Sequence, residues 1–259
     1  METQRLTRPA PYGNICLINS VTQSEIIMLD PAKVKDFWEK RVKAYKNVAF
    51  ESVANLEQDP DNLQLKIRDE VEKVFDWLPD LKGKRIVDLG AGVGQWSFRF
   101  ANRMAEQVTA VEFTESLSQL GTEEARKRQC TNVEFIVSPA EKFRSEKSYD
   151  VVFISGLFVY LNDDQAESLI NNLPSLCDQD TVVLLRDGTG VAGRHEINDR
   201  FSEHLQANYS ATYRTRGQYK ALFEKAGFVL VRDENMFPDG HPLNKYPETR
   251  LRLYEFNRA

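Results

Sequence analysis

Asp88, Gly90, Gly92 and Gly94 occupy alternate positions after the apolar run Arg85-Ile86-Val87, and Glu112 closes the next apolar run, Val108-Thr109-Ala110-Val111. Glycines at this spacing let a backbone leave a parallel strand sharply and pass a ligand with no Cβ in the way. The chain then enters a helix whose first N–H groups face the site. A carboxylate one strand later accepts hydrogen bonds from both hydroxyls of a ribose. The two features together describe a nucleoside site. The dinucleotide fingerprint G-x-G-x-x-G needs its third glycine at position 95, where Gln95 stands. An acid opening the turn is unfavourable beside a pyrophosphate and favourable beside an ammonium or sulfonium.

Later strand ends carry the other reactive side chains. Ser155, Phe158 and Tyr160 follow the apolar run that starts at Tyr149; Asp187 follows Thr181 to Arg186; His195 lies in the glycine-containing stretch 188–195, expected to be a loop. Strand ends in open parallel sheets converge on one crevice. Substitution at a sulfonium methyl is in-line and needs a lone pair, close approach and, for an alcohol or ammonium, loss of a proton. His195 is the better base near neutrality. Asp187 serves as a base or as an anchor for a substrate ammonium, and Tyr160 orients an acceptor through its hydroxyl. The plainer roles are a surface histidine, a strand-capping aspartate and a core tyrosine.

The run from Arg85 to Gln95 resembles motif I of the class I S-adenosylmethionine-dependent methyltransferases, and Glu112 resembles the acid that ends their second strand. The resemblance spans residues 83–257. It implies an α/β, Rossmann-like fold: a seven-stranded, mostly parallel sheet with an antiparallel last strand, helices on both faces and an N-terminal helical lid. The tail from Phe228 to Asn257 is similar to the family's closing hairpin. S-adenosylmethionine is the implied cofactor. Asp88, Gly90, Gly92 and Gly94 would take its methionine side and Glu112 its ribose. Phe113, Ala140 and Glu141 would take its adenine, with Ser155 and Trp38 completing the site. Pro139 stands where the family has an aspartate, which moves the reading of the adenine amino group to Glu141 and the Ala140 N–H. Ser155-Gly156-Leu157-Phe158 differs from the Asp/Asn-Pro-Pro-Tyr/Phe sequence of enzymes that methylate nucleic-acid bases.

The chain has 259 residues, 34 basic and 39 acidic, for a net charge of -5. This balance disfavours a protein that binds nucleic acid by neutralising phosphates. Cys16, Cys130 and Cys177 form no C-x-x-C pair, and His204 and His241 lack ligand spacing, so neither disulfide framework nor metal site is expected. No apolar run is long enough to span a bilayer, and a soluble, cytoplasmic protein is expected.

Apolar residues recurring at helical spacing predict helices from Pro31 and from Asn62 to Leu78. In the first, Trp38, Arg41 and Tyr45 share a face as candidate lid residues. The expected division is residues 1–80, extension and lid, and 81–259, cofactor-binding domain. Tyr209, Tyr213, Arg214, Arg216 and Tyr219, with Phe237, His241, Asn244 and Tyr246, are expected to bind the acceptor. The reading is methyl transfer to nitrogen or oxygen of a small polar metabolite, as in natural-product or sugar biosynthesis. Its alternatives are a protein or peptide N-terminal amine methyltransferase and a non-catalytic nucleoside-binding partner subunit. No oligomeric state follows from the sequence.

Overall fold

The computed structural model describes residues 28–44 and 50–259. Cys16, Tyr45 and the apolar runs before residue 28 lie outside them. Seven strands form the main sheet: β1 Arg85–Leu89, β2 Gln107–Glu112, β3 Val133–Val137, β4 Tyr149–Ser155, β5 Cys177–Gly190, β8 Phe228–Asn235 and β9 Thr249–Arg258. Their order is β3-β2-β1-β4-β5-β9-β8, parallel except for β9, which runs antiparallel to both its neighbours. From β1 the chain steps outward through β2 and β3, then returns to β4 on the other side. That reversal opens a crevice at the carboxyl ends of β1 and β4.

Helices cover both faces, which is why the central strands are apolar throughout rather than alternating. Ile86, Val87, Val151, Val152, Phe153 and Ile154 are fully buried. On one face α6 (Asp163–Asn172) and α7 (Arg216–Glu224) pack against β4, β5 and β9, with the Phe223 ring stacked on Phe256 at 3.9 Å. On the other, α3 (Pro60–Trp77) and α4 (Gln95–Ala101) bring Val74, Trp77, Trp96 and Phe100 onto Ile86 and Phe153. The Asp59 carboxylate caps α3 by accepting from the Asn62 N–H, and Pro60 occupies the first turn. Thus α3, expected within the extension, contributes to the same core as β1. Beside the sheet, α5 (Glu115–Lys127) follows β2, and α1 (Pro31–Ala44) packs on α5 and on a separate hairpin.

That hairpin corrects the expected loop. β5 does not end at Asp187 but continues to Gly190, paired with β9 as far as Thr249. Residues 195–213 then form β6 (His195–Ser202) and β7 (Ala207–Tyr213), an antiparallel pair of their own. Tyr209 and Ala211 are buried at alternate positions of β7, a strand signature short enough to pass for irregular chain. α6 stops at Asn172, where the chain tightens into a 3-10 turn that includes Pro174. Among the described residues no helix is long and apolar enough to cross a membrane.

Phe223→Ala empties the space against Phe256 and is expected to cost about 3–5 kcal/mol in urea unfolding, with cofactor affinity in the surviving folded fraction unchanged.

Candidate functional site

The backbone leaves β1 through Gly90, Gly92 and Gly94, with φ of 79°, 59° and 83°, values that glycine alone adopts at little cost. The Gly90 and Ala91 N–H groups both donate to the Val111 carbonyl, at 2.9 and 3.0 Å, and tie the turn to β2. A Cβ on Gly94 would lie 2.4 Å from the Phe135 ring. Gly94 therefore shapes the turn from behind and is not among the residues that border the cavity.

Two buried carboxylates flank the turn. Glu112 accepts from the Gly92 N–H at 2.9 Å through Oε2 and from the Thr114 N–H at 2.8 Å through Oε1. Both oxygens retain lone pairs, and burial pushes the carboxyl above its ordinary range. Asp88 Oδ2 accepts from the Ser97 hydroxyl at 2.7 Å, while Oδ1 is buried with no hydrogen-bond partner among the described residues. Burial pushes Asp88 up to about 7, opposed by the Ser97 bond and reinforced by Glu112. An orphaned carboxylate oxygen at a cavity wall is costly alone and fits a group carrying ammonium and sulfonium charge.

The cavity has a volume of about 1200 Å³ and is bordered by Asp88, Gly90, Gly92, Glu112, Phe113, Ala140, Glu141, Ser155, Trp38, Tyr160, Asp187 and His195. The fold thus collects every expected site residue except Gly94. Ser155 Oγ accepts from Arg186 Nη1 at 2.9 Å. Trp38, from α1, sets its ring edge-on to Tyr160 at 5.6 Å, and Arg41 is spent on the carbonyls of Val53 and Asn55. Phe113 packs beside Trp38 and Leu117.

Asp187 is fully buried inside β5. Its Oδ2 accepts from the N–H groups of Leu157 and Phe158 at 3.0 and 2.7 Å, and Oδ1 from Gly188 N–H at 2.7 Å. Burial pushes it up to about 6 against the pull of these bonds. The geometry makes it a brace that holds the turn after β4. His195 is the first residue of β6 rather than a loop residue, registered opposite Tyr213 with ring centroids 5.8 Å apart. Tyr160 Oη lies 3.2 Å from Tyr209 Oη, and burial holds the phenol protonated.

Sequence reasoning missed a charged network along the same cavity. Arg186 Nη2 bonds to the Glu70 carboxylate of α3; Lys66 Nζ lies 3.9 Å from Glu70 and donates to Asn55 Oδ1 at 2.6 Å; Lys245 pairs with Glu57 at 2.6 Å. Burial pushes the Lys66 amine down. The available signal was Lys66 and Glu70 four apart on a helix otherwise apolar on that face. Nothing local announces that Arg186, five strands later in the sheet, meets them.

Residues 86–180 match the family model described as a methyltransferase domain. The chain is 32% identical over 143 residues to phosphoethanolamine N-methyltransferase 1 of Triticum aestivum, covering 54% of this chain and 27% of that protein. It is 27% identical over 200 residues to phosphoethanolamine N-methyltransferase 1 of Caenorhabditis elegans, covering 75% of this chain and 39% of the relative. It therefore spans well under half the length of these curated relatives. Among solved structures, phosphoethanolamine N-methyltransferase 1 of Haemonchus contortus, in complex with phosphoethanolamine and S-adenosylhomocysteine, superposes with a TM-score of 0.67. The identity is 20%, over 89% of this chain and 50% of that one.

The Asp88 carboxyl, up at about 7 when folded and near 3.8 otherwise, contributes stability that is complete below pH 4 and lost as pH rises through 7. Asp88→Asn, which carries no charge at any pH, should therefore gain on the cofactor-free wild type as pH rises from 5 to 8, measured as the difference in urea-unfolding free energy. A difference flat with pH would show that Asp88 titrates elsewhere.

Proposed function

From the premise that this chain carries a class I S-adenosylmethionine-dependent methyltransferase domain, we propose that it transfers a methyl group to nitrogen or oxygen of a small polar metabolite. One observation carries the reading: a single cavity joins the glycine turn, Asp88 and Glu112 to the aromatic wall made by Trp38, Tyr160 and Tyr209. Its volume exceeds what one drug-sized ligand fills, leaving room for a second reactant beside the cofactor.

S-adenosylmethionine supplies a sulfonium-borne methyl group open to in-line substitution. The chain's own residues position and shield. Asp88 Oδ1 takes the methionine ammonium, which favours its ionised form, and Glu112 takes the ribose hydroxyls while the Gly92 and Thr114 N–H groups hold it in place. Phe113 and the backbone around Ala140 border the adenine. Asp187 braces Leu157 and Phe158, so the chain after β4 presents Tyr160 to the cavity at a set position. α1 closes the wall with Trp38 and excludes water, which strengthens every charge contact inside. In this reading residues 81–259 bind the cofactor and the preceding segment covers it.

The wheat and nematode relatives are named for methylating a small amino phosphate, which supports a small polar acceptor for this chain. The peptide-amine reading draws on the layout of residues 184–187 and 153–163, and the Asp187 carboxylate within it already accepts three backbone N–H groups.

Isothermal titration is expected to show binding of S-adenosylmethionine and none of NAD, with binding abolished in Gly92→Arg, whose side chain fills the turn. Binding of NAD alone would replace the reading with redox chemistry. Asp187→Asn, which sets an amide N–H against backbone N–H groups and loosens the turn after β4, should leave cofactor affinity nearly intact and lower methyl transfer, read with methyl-labelled cofactor against phosphoethanolamine, ethanolamine and a tripeptide with a free α-amine. Label in the tripeptide alone would favour the peptide reading.

A further inference from the structure

Aromatic side chains from three elements meet on one wall of the cavity. Tyr160, in the turn after β4, and Tyr209, on β7, face each other at right angles with ring centroids 6.1 Å apart and hydroxyls 3.2 Å apart. Tyr213, four residues along β7, lies on the same side of the strand as Tyr209. The Tyr213 ring lies over β5 at Gly188, where a Cβ would come within 2.7 Å of it. Trp38 meets Tyr160 from α1. All four border the cavity. The hydroxyl-to-hydroxyl bond fixes the Tyr160 and Tyr209 rings relative to one another, and burial keeps the three phenols uncharged.

A carboxylate stands behind these rings. The Asp187 carboxylate lies near enough to oppose ionisation of Tyr160, Tyr209 and Tyr213 alike. Arg41, a cation near Tyr160, is bonded to backbone carbonyls and does not border the cavity, whereas Arg200, registered opposite Tyr209 on β6, does border it. Neutral π faces with a carboxylate behind them attract a compact cation and offer little to an anion.

We propose that Trp38, Tyr160, Tyr209 and Tyr213 form a cage for an alkylammonium group, so that the methyl acceptor is an amine and the transfer is N-methylation. This rests on the methyltransferase reading above. The amine enters as the free base, having lost its proton to solvent. Its lone pair forms the new N–C bond as the S–C bond breaks, and that bonding pair stays on sulfur. The positive charge moves from sulfur to nitrogen, into the cage, and total charge is conserved. Methylating an alcohol would instead leave a neutral ether and release a proton, placing no positive charge in the cage. The cage thus distinguishes acceptors by the charge of their product.

The test titrates choline and its uncharged carbon isostere, 3,3-dimethylbutan-1-ol, into the protein saturated with S-adenosylhomocysteine. Wild type should bind choline about tenfold or more tightly than the isostere. Tyr160→Leu and Tyr209→Leu should erase that preference, and Tyr160→Phe, which keeps the ring, should retain most of it. S-adenosylhomocysteine affinity should be unchanged in all three. Equal binding of the two probes, or no binding of choline, with S-adenosylhomocysteine still bound overturns the cage and leaves the methyltransferase reading standing. Failure of S-adenosylhomocysteine itself to bind overturns the methyltransferase reading, and the cage with it. If the leucine variants do not fold, the wild-type ratio of the two affinities decides alone.

Discussion

Two carboxylates held out of water at the ends of adjacent parallel strands are the constraint around which this molecule is arranged. A buried, charged carboxyl costs several kcal/mol unless it is bonded, and Asp88 and Glu112 are buried side by side. Glu112 is satisfied by backbone N–H groups from the glycine turn and from the start of α5, so it needs both elements in place. Asp88 is satisfied on one oxygen alone. The sheet buries these groups because β1 lies between β2 and β4, and the glycine turn exists because N–H groups must reach Glu112 without side chains intervening. The remaining desolvation cost on Asp88 is a standing preference for a cationic ligand.

The same logic recurs on the acceptor side with different means. Asp187 is also fully buried, but it turns its lone pairs to Leu157, Phe158 and Gly188, so its charge orders backbone rather than awaiting a ligand. Across the cavity Arg186, the next residue back along β5, projects to the other face of the sheet and meets Glu70, as the alternation of strand side chains requires. One strand end thereby supplies a carboxylate to the aromatic wall and a guanidinium to the charged one. Lys66, pushed toward neutrality by burial, and Glu70 show that the charged wall is shielded as well.

Architecture around the sheet decides how closed the cavity is. α1 rests on α5 and on β7, and the Leu29 backbone exchanges hydrogen bonds with the Asn162 side chain at 2.8 and 2.9 Å, which anchors the entry to α1 beside α6. The β6–β7 hairpin contributes Tyr209, Tyr213 and His195 to the wall. Gly188 permits this, since any side chain there would displace the Tyr213 ring.

The antiparallel return at the tail is implied by the family resemblance; local sequence by itself determined the glycine turn, the acids at positions 88 and 112 and the apolar strands. Each is a short-range consequence of backbone conformation and apolar patterning, readable within ten residues. It also pointed to Tyr160 and Asp187 beside the crevice, because strand ends in such sheets converge. Tertiary structure alone decided that 195–213 is a hairpin, that Gly94 supports the turn from behind against Phe135, and that Asp187 is a brace. It alone brought Glu70 to Arg186 and Tyr209 to Tyr160. These pairings join residues 116 and 49 positions apart. Their energy comes from desolvation and from bonds that exist only once distant elements have packed, so no window of sequence carries their signature.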